Sequence, residues 1–426
     1  MLRFAALDRA LSADCPSEGP LLGWRCFQLG LLLLASSAFL GGLLLFVALL
    51  QGSRGRSSPF RARDGQVLLL ISALMIVGCL AASSGALAWL GLANWLPFFW
   101  AYWGYRPYLT TAAARRRVAL MLVAGSVPVI LTGLGQIWWG WRGPFEQFGG
   151  LIIWHLRAGG NPPGRLAGLF DYANIAGAWL ALAWPLALAA LLQPRLSPGR
   201  RAVVLLIAIG FVSAVFLTDS RNAWAALMLA VPLVVGPASW GWLLPLLAVG
   251  LLVLALACLP GVPSLLQLPA RALVPEAIWS RLTDLQYAGH RPLATTRLGQ
   301  WGTAVGLILE RPWLGWGAAA FSVIYPQRTG HWHGHPHNLP IDLAVSHGLP
   351  VAVLVVGFVL WLLVRAARLG MVQATLFDRA WWTSVLVLAA LHATDIPFYD
   401  SRINVAGWVL LAGLGAYEAE RSPAAA

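Results

Sequence analysis

Long apolar runs separated by short polar connections dominate this sequence and restrict what it can fold into. Twelve runs of roughly 15–25 residues occur, and a helix of about 20 residues is long enough to cross the ~30 Å hydrocarbon core of a bilayer. The runs lie at about 21–35, 38–52, 67–84, 86–105, 117–139, 174–193, 202–218, 222–236, 241–259, 339–364, 380–397 and 403–418. The sequence therefore predicts an all-α, polytopic membrane protein with about twelve transmembrane helices.

The first two runs are separated by Ser36-Ser37, and Gly41-Gly42 follows shortly after. These residues predict a break, so we expect a tight helical hairpin rather than one long helix. With that hairpin the count is twelve, and both chain termini fall on the same side of the membrane.

Composition supports a membrane protein and argues against a soluble one. Of the 426 residues, 59% are hydrophobic and only 11% are charged, whereas charged residues make up about a quarter of an ordinary globular chain. The net charge of +13 is explained by the arginine excess of cytoplasmic loops, so membrane lipid and not nucleic acid is the expected partner. The four cysteines form no CxxC pair, which supports neither a disulfide framework nor a zinc site.

The arginines of the short connections predict the orientation. Fourteen of them fall on one face of the twelve-helix arrangement, which is therefore assigned to the cytoplasm. They are Arg54, Arg56, Arg61, Arg63, Arg106, Arg115, Arg116, Arg117, Arg195, Arg200, Arg201, Arg365, Arg368 and Arg379. The opposite face receives two longer segments, 140–173 and 260–338. The second is large enough for a small loop subdomain with an amphipathic helix near 298–309.

Four histidines alternate at the end of that second segment, where it enters the tenth apolar run: His331, His333, His335 and His337. Such spacing could hold a metal, but Gly334 and Pro336 indicate an irregular turn, and only Asp342 offers a nearby carboxylate. We therefore predict no metal site.

His337 is the candidate general base, because it adjoins Asn338 at the entrance of a helix, and a neutral imidazole is suited to take a proton from a hydroxyl group. His335 is predicted to orient or replace it.

Three arginines are candidates for binding an anion. Arg221 lies in a short turn between two apolar runs, where it either pairs with Asp219 or snorkels to the interface, or else clamps diphosphate oxygens with its planar donors.

The two others lie in the longer segments. Arg297 begins the amphipathic stretch, and Arg281 and Arg291 compete with it for the same role. Arg165, which precedes Asn174, is either an interfacial anchor or a ligand contact.

Over most of residues 160–415 the chain resembles the O-antigen ligase/polymerase superfamily of envelope polysaccharide enzymes. The resemblance rests on Gly168-Leu169-Phe170 with Asn174-Ile175-Ala176-Gly177, Ser220-Arg221, Arg297, Arg311-Pro312-Trp313-Leu314-Gly315-Trp316-Gly317, and His337-Asn338 followed after nine residues by Gly348-Leu349-Pro350-Val351. The family usually ends this last motif with a second glycine, where this chain has Val351.

The resemblance implies a GT-C-like, metal-independent and cofactor-free glycosyltransferase of the bacterial cytoplasmic (inner) membrane, with its active site on the periplasmic face. Its donor would be a glycan on undecaprenyl diphosphate. Residues 1–139 would be N-terminal transmembrane helices, 140–418 the O-antigen ligase-related core, and 419–426 a cytoplasmic tail.

The family's site residues carry over position by position. Arg221 and Arg297 would hold the diphosphate, His337 would activate the acceptor hydroxyl, and Asn338, His335, Arg165 and Asn174 would support them.

Several functions stay open. A ligase, whose acceptor is a lipid A–core oligosaccharide, is favoured over a polymerase, whose acceptor is another carrier-linked repeat unit, because the His-Asn-x9-Gly pattern looks more like ligases. A small-anion transporter of the bicarbonate type is disfavoured, because the apolar runs are almost free of charge at their centres. A non-catalytic scaffold would tolerate the loss of His337.

Overall fold

The computed structural model describes residues 8–55, 62–283 and 292–421, and these ranges are mostly helical. The predicted cytoplasmic arginines Arg56 and Arg61, the clamp candidate Arg291 and residues 422–426 of the predicted tail lie outside the described residues.

The helices and strands of the first half are α1 Leu21–Leu33, α2 Ala38–Ser53, α3 Arg63–Leu80, α4 Ala86–Gly91, α5 Leu96–Tyr105, α6 Ala112–Trp138, β1 Phe145–Gln147, β2 Ile152–Trp154, α7 Ala173–Leu191, α8 Pro198–Leu217 and α9 Arg221–Val235. Those of the second half are α10 Trp240–Cys258, α11 Ser264–Leu273, α12 Glu276–Leu282, α13 Arg297–Glu310, α14 Ala320–Thr329, α15 Leu339–His347, α16 Leu349–Arg368, α17 Met371–Ala374, α18 Leu376–His392 and α19 Ser401–Arg421.

The predicted hairpin and amphipathic helix are confirmed. α1 and α2 pack against each other across a break at Ser36-Ser37, and the Ser37 hydroxyl accepts the Leu40 backbone N–H at 3.2 Å as an N-cap. A Cβ at Gly41 would lie 2.7 Å from Leu34 Cα, so this glycine permits the close approach of the two helices. The amphipathic helix is α13, which Thr296 caps through the Gly299 N–H.

Two predicted spans are each broken into two helices. The run at 86–105 becomes α4 and α5, separated by a 3-10 turn at Leu92–Asn94. The run at 339–364 divides at Gly348, which has φ +84°. A Cβ there would lie 2.2 Å from the Trp313 carbonyl oxygen, so the close approach of the 313 segment, together with the positive φ, explains the break.

The mostly helical structure is consistent with the predicted all-α fold, and one small region departs from it. Within the segment 140–173, β1 pairs with β2 in an antiparallel two-stranded sheet. Trp154 at the end of β2 donates its indole N–H to the Ser36 carbonyl at 3.0 Å, which ties this hairpin to the turn between α1 and α2.

Among the described residues, six helices are long and apolar enough to cross a membrane: Arg63–Leu80, Ala112–Trp138, Ala173–Leu191, Pro198–Leu217, Pro237–Cys258 and Leu349–Arg368. α1, α2 and α9 are apolar but shorter. The chain is thus a multi-pass helical membrane protein, while the count of twelve spans stays a prediction.

The core is centred on α7, which is buried along almost its whole length. It packs against α18, α9, α8 and α6. Eight alanines and one glycine in α7 allow these neighbours to approach closely, as small residues do at helix interfaces within membranes.

Arginines of the predicted cytoplasmic face lie together at one end of the bundle, paired with carboxylates. Arg115 Nε is 2.6 Å from Asp378 Oδ1, and both side chains are at most 2% exposed. Arg106 Nη1 is 2.6 Å from Asp64 Oδ2, and its Nη2 donates to the Gly415 carbonyl at 3.0 Å. Side chains from segments 140–173 and 260–338 meet at the opposite end.

Candidate functional site

Residues 331–337, here called the histidine segment, form no helix or strand, as Gly334 and Pro336 predicted. His337 has φ +51°, a left-handed conformation that is uncommon for a non-glycine residue. The next residue, Asn338, holds His337 in place. Asn338 Oδ1 accepts the Ile341 N–H at 2.9 Å, which caps α15, and Asn338 Nδ2 donates to the Ala393 carbonyl at 2.7 Å. Asn338 therefore anchors the segment that carries His337.

His337 is paired with a carboxylate from the far end of the chain. Its Nδ1 lies 2.9 Å from Asp395 Oδ1, with the two side chains 29% and 14% exposed. Burial raises the pKa of Asp395, but the hydrogen bond and charge of His337 and the Ile396 backbone N–H outweigh it and lower this pKa to about 2. Asp395 is therefore ionised and accepts a proton-bearing Nδ1, which leaves Nε2 as the basic nitrogen of His337.

The second oxygen of Asp395 begins a chain of hydrogen bonds towards the predicted anion site. Asn174 Nδ2 lies 3.3 Å from Asp395 Oδ2, and Arg165 Nη2 donates to Asn174 Oδ1 at 2.5 Å. Arg165 Nε donates in turn to the Thr218 carbonyl at 2.8 Å. Asn174 and Arg165 thus connect the imidazole to the turn that precedes Arg221.

That turn leads directly into Arg221, one of the two arginines predicted to bind the diphosphate. Arg221 begins α9, and Asp219, two residues before it, has φ +52°. Arg281 Nε lies 2.8 Å from Asp219 Oδ2 and 3.2 Å from the Asp219 carbonyl oxygen, and Arg165 Nε is 4.0 Å from the same carboxylate. The structure therefore brings Arg281, a competing clamp candidate, to the Arg221 turn.

His335 lies on the other side of His337. The ring centroids are 4.4 Å apart, and His335 Nδ1 accepts the His337 backbone N–H at 3.2 Å. Burial first, and then the neighbouring His337, lower the pKa of His335 to about 4; Arg297 at the start of α13 also lowers it. His335 is neutral at pH 7, with its proton on Nε2, and Arg297 lies within electrostatic reach of the histidines.

The group His335, His337 and Asp395 also has the composition of a metal site, since one ligand atom from each lies within 4.8 Å of the others. The sequence analysis found only Asp342 as a nearby carboxylate and missed Asp395. The absence of a metal stays a prediction.

The predicted residues thus fall into two groups. In the first group, hydrogen bonds through Asp395 link His337 to Asn174 and Arg165, and His335 and Asn338 flank His337. Arg221 and Arg297 each begin a helix bordering this group. His331 and His333 frame the segment: His331 Nδ1 lies 2.9 Å from the Thr329 carbonyl oxygen, and the His333 ring lies 6.3 Å from that of His337.

Sequence reasoning missed Asp395 because it placed this residue inside a predicted helix at 380–397. The helix ends at His392, and Asp395 lies in the loop before a 3-10 turn at Pro397–Tyr399. Two signals could have found it: an acidic residue at the end of an apolar run, and Pro397 just beyond, which favours a helix end.

Comparison with known proteins gives a family match over part of the chain. No curated protein matches the chain. Residues 202–356 match the family model described as O-antigen ligase, a stretch that includes Arg221, Arg297, His335 and His337 but neither Asn174 nor Asp395. The match supports a membrane glycosyltransferase-type function in envelope polysaccharide synthesis. Over residues 202–356, about a third of its length, the chain is therefore similar to O-antigen ligases.

Proposed function

We propose that this protein transfers a glycan from undecaprenyl diphosphate to a sugar hydroxyl of lipid A–core oligosaccharide, as an O-antigen ligase of the inner membrane with a periplasmic site. The observation that carries the proposal is the contact between His337 Nδ1 and the buried, ionised Asp395. An oriented imidazole with a carboxylate behind it is a general base that needs no metal.

In the reaction, His337 Nε2 takes the proton of the acceptor hydroxyl as that oxygen bonds to the anomeric carbon of the donor. The bond from this carbon to the diphosphate oxygen breaks, and the diphosphate leaves with the electron pair. Displacement from the opposite face inverts the anomeric configuration. Asp395 stabilises the imidazolium that forms.

The negative charge gained by the diphosphate needs positive partners in fixed positions. Arg221 and Arg297 are assigned this role, and each begins a helix, so that the N-terminal end of the helix dipole adds to the attraction. Arg165 holds the Arg221 turn through the Thr218 carbonyl and is a positioning residue. Arg281, paired with Asp219, is the second choice for the clamp.

The alternative function is that of a polymerase, which uses the same base and clamp but a carrier-linked repeat unit as acceptor. A transporter is disfavoured, because the linked polar groups from Asp395 to Arg165 lie in loops and at helix ends, where they do not line a path along the helices.

The test is complementation in a host that lacks its own ligase. Single changes of Arg221, Arg297 and His337 to Ala should abolish glycan attachment at normal protein levels, because each removes a charge or base used in the transition state. Normal attachment in all three variants would contradict the proposal.

The acceptor is identified from the glycan that accumulates in the inactive variants. Long polymer on the lipid carrier indicates a missing ligase, and single repeat units on the carrier indicate a missing polymerase. Mass analysis of the extracted lipids separates the two.

A further inference from the structure

A cavity of about 360 Å³ opens beside His335. Its walls come from four segments: α4 with the following 3-10 turn, residues 318–319, the histidine segment, and α15 with Tyr399. The proposed function assigns no role to these walls. Small-molecule sites in proteins have about 300–1,000 Å³, so this cavity has room for one or two sugar rings and not for a polymer.

Polar groups converge on this cavity from buried positions. Asp342 and Ser346 are at most 5% exposed, yet both line it from successive turns of α15. The Tyr399 hydroxyl donates to Asp342 Oδ2 at 2.6 Å. Tyr399 bonds to only one oxygen of the Asp342 carboxylate, so the other oxygen can accept a hydrogen bond from a hydroxyl group of a ligand.

Aromatic rings complete the walls. Trp95 lines the cavity, and the Tyr399 ring lies 5.8 Å from that of His335. Flat apolar rings beside hydrogen-bonding groups suit a sugar, which has apolar C–H faces and hydroxyl edges. The left-handed Ala319, with φ +61°, and Gly91, where a Cβ would meet Ala318 Cβ at 2.2 Å, let the two opposite walls approach each other.

The lining of the cavity distinguishes a sugar from a diphosphate. No arginine is among its described lining residues, and its acidic group, Asp342, would repel a phosphate. Asp395 occupies the Nδ1 side of His337, and His335, which lines the cavity, has its ring 4.4 Å from that of His337. A base must contact the acceptor hydroxyl, so an uncharged sugar bound beside the histidine pair fits the acceptor.

We propose that this cavity binds the terminal, uncharged sugar of the acceptor glycan, with Asp342, Tyr399 and Ser346 as residues that determine acceptor affinity. This inference rests on the proposed transferase function. It holds whether the acceptor sugar is carried by lipid A–core or by the lipid carrier, since the sugar chemistry is shared.

The test measures the Michaelis constants for the two substrates separately, with purified protein. The donor is an undecaprenyl-diphosphate-linked oligosaccharide, and the acceptor is purified rough lipopolysaccharide or, in a second arm, the carrier-linked repeat unit. Asp342→Asn and Tyr399→Phe should each raise KM for the acceptor about tenfold, the effect of losing one good hydrogen bond. KM for the donor and kcat should change less than about twofold.

The matched control is Tyr417→Phe, the same chemical change at the other end of the bundle, where the hydroxyl contacts the Leu369 carbonyl. It should leave both constants unchanged. Unaltered acceptor KM in both cavity variants, with His337→Ala inactive, would overturn the cavity assignment alone. Full activity in His337→Ala would instead overturn the transferase mechanism. The acceptor arm that shows the KM change identifies the source of the sugar.

Discussion

The two ends of the helical bundle both combine arginines with carboxylates, but they do so in different ways. At the predicted cytoplasmic end, Arg115 pairs with the almost fully buried Asp378 and also lies 3.3 Å from Glu420, and Arg106 and Tyr102 share Asp64. At the other end, Asp219 lies between Arg281 and Arg165, and Asp395 is shared between His337 and Asn174. Both ends link several polar groups, but only the second of these two clusters includes a partly exposed imidazole, which can accept a proton, so it is the one suited to chemistry.

The largest expected effect comes from Asp395→Asn. The amide cannot stabilise the imidazolium and favours the wrong tautomer of His337, so kcat should fall by about 10²–10⁴, the range of general-base catalysis. Steady-state transfer assays on purified protein measure this. A change of less than about threefold would remove Asp395 from the mechanism and weaken the contrast between the ends.

Arg115→Met should show the opposite behaviour. Removing one partner leaves the Asp378 carboxylate buried without its cation, a loss of about 3–5 kcal/mol in stability. The melting temperature in detergent should fall, while kcat of the protein that remains folded stays near that of the wild type. A specific loss of kcat without destabilisation would show that the arginine-rich end takes part in function.

The smallest expected effect concerns pH. The pKa of His335 is lowered to about 4, first by burial, whereas an unfolded histidine titrates near ~6.5. Between about pH 6.5 and 4 the unfolded chain binds more protons, so stability rises with pH in this window and is lost as pH falls through it. The melting temperature should drop more steeply on acidification in the wild type than in His335→Gln. Equal slopes would contradict the burial of a neutral His335.

Much of the architecture could be predicted from hydropathy. The α1–α2 hairpin, α13, and the helix starts at Arg221 and Arg297 follow from residue patterns that are local in sequence. The break at 92–94 could not be predicted, because it follows Gly91, which contacts the distant Ala318. At Gly348 the contact with Trp313 adds to a local signal that was missed, Pro350 two residues later.

Only part of the site could be predicted, because some of its residues come together from distant parts of the chain. His337, Arg221 and Arg297 could be proposed from local motifs and a family resemblance. Asp395, which is 58 residues from His337, could not, because its pairing depends on how α15 and the end of α18 pack. The cavity beside His335 requires four segments to meet, and no local pattern specifies that.

The most direct test of the central claim measures carrier binding and glycan transfer on the same purified samples. The account predicts that His337→Ala binds undecaprenyl diphosphate within about twofold of the wild type, while transfer falls by about 10²–10⁴. Arg221→Ala should lose carrier binding. Transfer at the wild-type rate by His337→Ala, or unchanged carrier binding by both Arg221→Ala and Arg297→Ala, would contradict the account.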